Sequence, residues 1–464
     1  MNHRFAWVLA TAVLVGIGSS TVCALDQDAI AWIEGNAIRL DSVEFAAGHE
    51  DLMPLVPLLA DARVVALGEG THGTREFFTA RLRLMEFLVS ELGFTAFAFE
   101  FPYGEGVEIN EYVRDGSGDP AEILARVYCP PWNHAEMLRL IEWMRSYSEA
   151  AGSGGTLSFH GIDIHDGSSI LLIDSIVRFI ERVDPTRVNA FEEALACFGY
   201  RSMYHIAGFA DADGSCRESL RWVVDELAGH RSRYASSSLH AYESTLHEAN
   251  LLLQRAEFYA LMSADPATAD AYRDARMADN LVRLQESLGS SGRIAVGAHN
   301  YHVGRFVDHI QVVGIESRAQ TSMGWHLSQR YGDAYVVVAT TTRSGDVAIF
   351  PFPGSTLTDP AGRGLPQHEI VDLPRLRYGS VADLLRAADV SPCVLDLQVE
   401  PGTPATDWLF QDRALLHFGT TFIPSINTSY MIQAPIAELF DLLLYVEETT
   451  APEMHGWTPW QELD

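Results

Sequence analysis

Six side chains that can move protons fall at recurring places in this 464-residue sequence. Glu69 and His72 sit three apart in Gly68-Glu69-Gly70-Thr71-His72-Gly73. Glu100 closes the apolar run 94–99, Asp163 closes the run 156–162 with His165 close by, and His299 and His302 follow the run 293–296. A histidine flanked by carboxylates can deprotonate water, because the acids orient the ring and stabilise its cation. The same set could instead hold a divalent metal that activates the water. Both routes lead to hydrolysis. A tight turn capped by Thr71 or Thr74 would account for the glycines, but it would not need both Glu69 and His72.

Other chemistries lack their residues. The chain contains no lysine, which removes Schiff-base, P-loop and Ser-Lys mechanisms. Beyond the leader there is no Gly-x-Ser-x-Gly elbow and no His-Glu-x-x-His. The cysteines lack zinc spacing, and Gly68-Glu69-Gly70 does not continue into a dinucleotide fingerprint.

Bringing these groups together takes a scaffold that ends several elements at one edge. Residues 63–67 read as a buried strand, and after the turn Phe77, Phe78, Leu82, Leu84, Met85, Leu88 and Leu92 recur at the helical period. Strand, Gly-rich turn, helix is where open α/β proteins place their sites. Further strands are expected at 94–99, 156–162, 293–296, 334–339 and 394–397, with 440–446 closing the sheet near the C-terminus. Short entry helices are expected within 27–60 and an amphipathic helix over 132–147. From 168 to 288 the pattern is helical without clear strands. Arg273, Arg276 and Asn280 share one helical face there, which a solvated surface explains as well as a site does. The fold class predicted is α/β: a largely parallel sheet flanked by helices, with a helical insertion forming a second lobe over the active-site cleft. The expected division is 1–24 leader, 25–167 first part of the α/β domain, 168–289 helical insertion, and 290–464 second part.

A net charge of −30 argues against nucleic acid or an anionic membrane as partner. His3 and Arg4, the apolar stretch 5–17 and the small residues before Ala24 read as a secretory signal cleaved near Ala24. No second long apolar stretch follows, so a secreted or periplasmic protein without membrane insertion is expected. Without Cys23, four cysteines remain: 129, 197, 216 and 393. Cys197 and Cys216 are the pair to expect if disulfides form; four unpaired core cysteines is the other reading. Oligomeric state is not legible.

Taken together, Gly68 to Gly73, Phe99-Glu100, Trp132 with Glu136, Trp143-Met144-Arg145 and Gly161-Ile162-Asp163 resemble the erythromycin esterase family. Arg273-Asp274 with Met277 and Asn280, Gly297 to His302, and Leu443 with Glu447-Glu448 extend the resemblance. It implies an α/β domain with a helical lobe, and hydrolysis of a small-molecule ester or lactone such as a macrolide. By motif, His72 would be the general base and Glu69 its partner. Glu100, Arg81 and His299 would be catalytic in the same pocket, with Arg81 on the oxyanion, while His302, Asp163, Arg273 and Asp274 would face substrate. No cofactor is required by this reading, although a divalent metal at the Glu/His cluster stays open. The alternative is an exported metal- or haem-binding protein with His72, His299 and His302 as ligands.

Overall fold

The computed structural model describes residues 27–127, 130–152, 156–165, 168–198, 214–307, 311–312, 315–316, 321–350, 368–373, 379–420 and 431–455. The expected leader and Cys129 lie outside the described residues. In chain order the strands are β1 (Ile38–Arg39), β2 (Val64–Glu69), β3 (Ala96–Pro102), β4 (Ser158–Asp163), β5 (Ile294–His299), β6 (Gln311–Val312) and β7 (Ile315–Glu316). They continue with β8 (Tyr335–Ile349), β9 (Glu369–Asp372), β10 (Cys393–Asp396), β11 (Arg413–Leu416), β12 (Met431–Ala434) and β13 (Leu442–Thr449).

Continuous apolar runs became strands buried on both faces, as parallel sheets require. In β2, Val64 and Ala66 enter one core while Val65 and Leu67 enter the other. The main sheet runs β1-β10-β13-β8-β2-β5-β3-β4, with β9 paired to β8. From β13 to β4 every neighbouring pair is parallel. β10 is antiparallel to both β13 and β1. The C-terminal strand therefore does not close the sheet at an edge, as its position in the sequence suggested; it lies between β8 and β10. Strands β6, β7, β11 and β12 make a second, antiparallel sheet that the sequence pattern did not show.

Among the described residues, no strand lies between β4 and β5. Helices Ser169–Val183, Val188–Leu195, Ser215–Gly229, Leu239–Ala264 and Pro266–Ser287 fill that stretch. They share a core of their own, including Leu172, Phe179, Phe191, Leu220 and Tyr259. Cys197 and Cys216 are joined as a disulfide within this helical lobe, with Cα atoms 5.4 Å apart. Cys393 is a free, buried thiol. No described helix is long and apolar enough to cross a membrane.

Candidate active site

β2, β5, β3 and β4 are consecutive neighbours, so their carboxyl ends deliver Glu69, His299, Glu100 and Asp163 side by side. Register tightens this further, because Glu69 is the direct partner of His299. The turn after β2 is built for close approach. A Cβ on Gly68 would meet the Asn300 side chain at 2.3 Å, and one on Gly73 would meet the Ala348 carbonyl oxygen at 1.9 Å. Thr74 occupies the N-cap position of helix Arg75–Leu92 but makes no side-chain cap bond. Thr71 donates instead to the Gly419 carbonyl at 3.2 Å. Capping is therefore not what the turn residues do.

Glu69 is fully buried and uses both oxygens within the protein. Oε1 accepts from His72 Nδ1 at 2.6 Å, and Oε2 lies 2.9 Å from Arg81 Nη2. A ring that donates from Nδ1 keeps a lone pair on Nε2. That nitrogen has no hydrogen-bond partner among the described residues, and the ring sits 5.5 Å from Trp132 and 5.3 Å from His299. Arg81 itself is 4% exposed, with its guanidinium 5.5 Å from the Phe78 ring. Its three guanidinium nitrogens have no hydrogen-bond partner among the described residues, Nη2 meeting Glu69 as an ion pair. The residue expected at the oxyanion thus lies beside Glu69, with its guanidinium against Phe78.

A second charged group spans the sheet and the helical lobe. Arg273, on helix Pro266–Ser287, donates to Asp163 from Nε at 2.9 Å and to Glu100 from Nη2 at 2.8 Å. Glu100 Oε1 also lies 3.2 Å from His302 Nε2, and His302 Nδ1 donates to Asp274 at 2.7 Å. Asp274 in turn accepts from the Met323 amide at 2.8 Å. Burial opposes the charge on His302, but Asp274 and Glu100 outweigh it and push the imidazolium up to about 10. Burial likewise opposes the charge on Glu100, yet His302 and Arg273 hold its carboxyl well below the usual range. Asp163 is lowered in the same way, by Arg273 against burial. As a cation His302 donates from both nitrogens, so Arg273 Nη1, 3.1 Å from Nε2, gains no acceptor there. Asn280 shares the inward face of this helix, donating to the Ile162 carbonyl at 2.8 Å, whereas Arg276 pairs with Asp279.

His299 is placed differently from the expected catalytic group. Its Nε2 donates to the carbonyls of Gly70 at 3.2 Å and Phe418 at 3.1 Å, and its Nδ1 accepts from the Tyr301 amide at 3.2 Å. Both nitrogens are occupied by backbone. Burial, then the neighbouring rings of His417 and His72, hold it well below the usual histidine range, so it is neutral. Its amide donates to Glu100 at 3.0 Å. His299 thus ties the turn, β3 and a distant segment together.

That segment, His417-Phe418-Gly419, was missed by sequence reasoning. Phe418 donates its amide to Gly70 at 3.3 Å, and the His72 amide donates to Gly419 at 3.4 Å. The signal was present: an imidazole and a glycine directly after the apolar run Ala414-Leu415-Leu416, the pattern of the other strand ends.

The donor set does not suit a metal or haem iron. A ligand histidine must offer an unprotonated, unoccupied nitrogen. His299 has neither nitrogen open, and His302 carries protons on both. Only His72 Nε2 is open among the three. Among the described residues no three His, Cys, Asp or Glu side chains are grouped to hold a metal.

A sequence model described as Erythromycin esterase matches residues 89–449. Erythromycin esterase type II of Escherichia coli is 29% identical over 353 residues, covering 69% of this chain and 78% of that protein. The structure matches the crystal structure of a Bacillus cereus protein with TM-score 0.78 at 22% identity, covering 93% of this chain and 99% of the other. It matches an erythromycin esterase mutant, EreC in its open conformation, with TM-score 0.67 at 18% identity, covering 88% and 95%. These two likenesses show the α/β fold. The family match begins after the Glu69–His72 turn, so that turn rests on its own geometry.

Proposed function

The chain belongs to the erythromycin esterase family, and from that premise we propose that it hydrolyses a small-molecule carboxylic ester or lactone with water that His72 deprotonates. Family membership supports a hydrolase; the bond and the mechanism are our reading. One observation carries it: His72 gives Nδ1–H to a fully buried carboxylate at 2.6 Å and keeps Nε2 open.

The steps follow from that geometry. Nε2 takes a proton from water as the oxygen adds to the carbonyl carbon. Glu69 holds the ring in the right tautomer and stabilises the imidazolium that forms. Arg81 acts on Glu69, fixing its second oxygen. When the tetrahedral intermediate collapses, the leaving alkoxide takes the proton back from Nε2. Arg273, His302, Glu100, Asp163 and Asp274 form a rigid polar wall that orients the substrate. The mechanism needs no metal. Macrolide lactones belong to the substrate class and head the panel to test because of the relatives' names.

We further propose that the protein works outside the cytoplasm. The apolar leader supports this, and so does the Cys197–Cys216 disulfide, a bond that persists in oxidising compartments.

The test is turnover of aryl esters, simple lactones and macrolides by the purified protein, His72→Ala and Glu69→Gln, each with and without EDTA. Removing the base should lower kcat by roughly 10²–10⁴-fold, the usual worth of general-base catalysis. EDTA should leave the rate unchanged. Full activity in His72→Ala, or loss of activity in EDTA, would overturn the mechanism.

A further inference from the structure

We propose that His417 is a further catalytic residue, giving a ring N–H to the carbonyl oxygen of the ester as water attacks. This rests on the hydrolytic reading above and gives the oxygen on which charge develops a donor. The donors already described are turned to protein groups or enclosed: Arg273 gives Nε and Nη2 to Asp163 and Glu100, His302 faces Asp274 and Glu100, and Arg81, 4% exposed, pairs with Glu69. His299 has both nitrogens on backbone.

His417 differs from all of them. It is half-buried, and among the described residues neither ring nitrogen has a hydrogen-bond partner. Its ring lies 5.0 Å from that of His299 and 5.9 Å from Tyr301, while His72 lies 5.3 Å from the same His299 ring. His72 and His417 thus both lie against one fixed imidazole. The backbone behind His417 is pinned: Phe418 bonds to Gly70 and His299, and Gly419 accepts from Thr71 and His72. A side chain on so firmly tied a segment keeps its place relative to the base. Burial, and then the cationic His302, bring His417 down to about 4, so at neutral pH it is an uncharged imidazole. Such a ring donates a hydrogen bond without surrendering its proton. The water O–H bond breaks towards His72 Nε2, the new C–O bond forms, and the carbonyl π pair moves onto the oxygen that His417 holds. On collapse that pair re-forms the carbonyl and the ester C–O bond breaks.

Full-length wild type, His417→Ala, His417→Gln and His72→Ala should be compared in two assays: hydrolysis of an aryl ester, and binding of the matching aryl methylphosphonate, a tetrahedral anion. Loss of one oxyanion donor costs about 10²–10³-fold in kcat, so His417→Ala should fall by that factor with KM little changed. Phosphonate binding should weaken in step, and His417→Gln, which keeps an N–H, should recover part of both. Wild-type kcat and phosphonate affinity in His417→Ala would overturn the proposal. So would equal damage in the Ala and Gln variants together with a lowered Tm, the mark of a structural residue. Undiminished hydrolysis by His72→Ala would sink the hydrolytic reading instead. Phosphonate binding that depends on His417 in a protein that cleaves no ester would keep the oxyanion site and discard only the reaction.

Discussion

Glu69 holds His72 with one oxygen and meets Arg81 with the other, so the base depends on a buried ion pair. Arg81→Met leaves that carboxylate enclosed without its cation. Breaking a buried pair costs about 3–5 kcal/mol, so its thermal melt should drop clearly. Its kcat should fall on the order of 10–100-fold, the scale seen when a group that orients a functional residue is lost. The second charged group gives a pH signature. His302 is raised from 6.5 to about 10, so its stabilising contribution is complete below pH 6.5 and is lost as pH rises through 10. Glu100 and Asp163 are lowered from 4.5 and 3.8, so theirs is complete above those values and is lost as pH falls through the depressed ones. The network therefore contributes fully between pH 4.5 and 6.5. Tm against pH should decline on both sides of that window, and His302→Gln should flatten the alkaline limb; an unchanged limb would refute the assignment. At this scale the sequence was informative about which residues gather and poor about what each does. His299 and His302 look alike three positions apart, yet one is locked neutral by backbone and the other locked cationic by carboxylates. Those partners lie at Gly70, Phe418, Asp274 and Glu100, far off in sequence.

Among the elements, β8 and the turn after β2 approach each other closely. β8 runs fifteen residues, and near its far end the Ala348 amide donates to the Gly73 carbonyl at 2.9 Å. Gly73→Ala would drive a methyl into the Ala348 carbonyl, 1.9 Å away, where only backbone can yield. Overpacking of this kind costs typically 1–3 kcal/mol, and the shift falls beside His72. Activity should therefore drop more steeply than stability, as kcat and Tm measured together would show. Strands β2, β3 and β5 were legible as apolar runs that lead into a polar residue, and β4 as a mostly apolar stretch, interrupted by Ser158 and His160, that ends in Asp163. The reach of β8 past residue 339 was not, since its later part alternates through Arg343, Ser344 and Asp346 and is held by β9 and β13. Nor was the antiparallel set of β10, because four residues carry no sign of their direction. Which strand a segment pairs with is decided by the rest of the chain.

At the scale of the molecule, Arg273 fastens the helical lobe to the sheet through Asp163 and Glu100, and the Cys197–Cys216 bond braces the lobe itself. Closing a loop of this length stabilises by roughly 3 kcal/mol in the chain-entropy picture. Reduction, or Cys197→Ser with Cys216→Ser, should lower Tm while hydrolysis persists well below the melt. Loss of hydrolysis in the cold, folded, reduced protein would show that the bond shapes the cleft as well. One contact joins parts of the chain made far apart in time. Thr71 is bonded to Gly419, 348 residues away, and His72 and His299 lean on the same short segment. A chain made from its N-terminus therefore carries His72 early but gains these backbone partners only once Phe418 and Gly419 are made. On the proposed mechanism, chains terminated before His417 should hydrolyse nothing, as an assay of such truncated products beside the whole polypeptide would check.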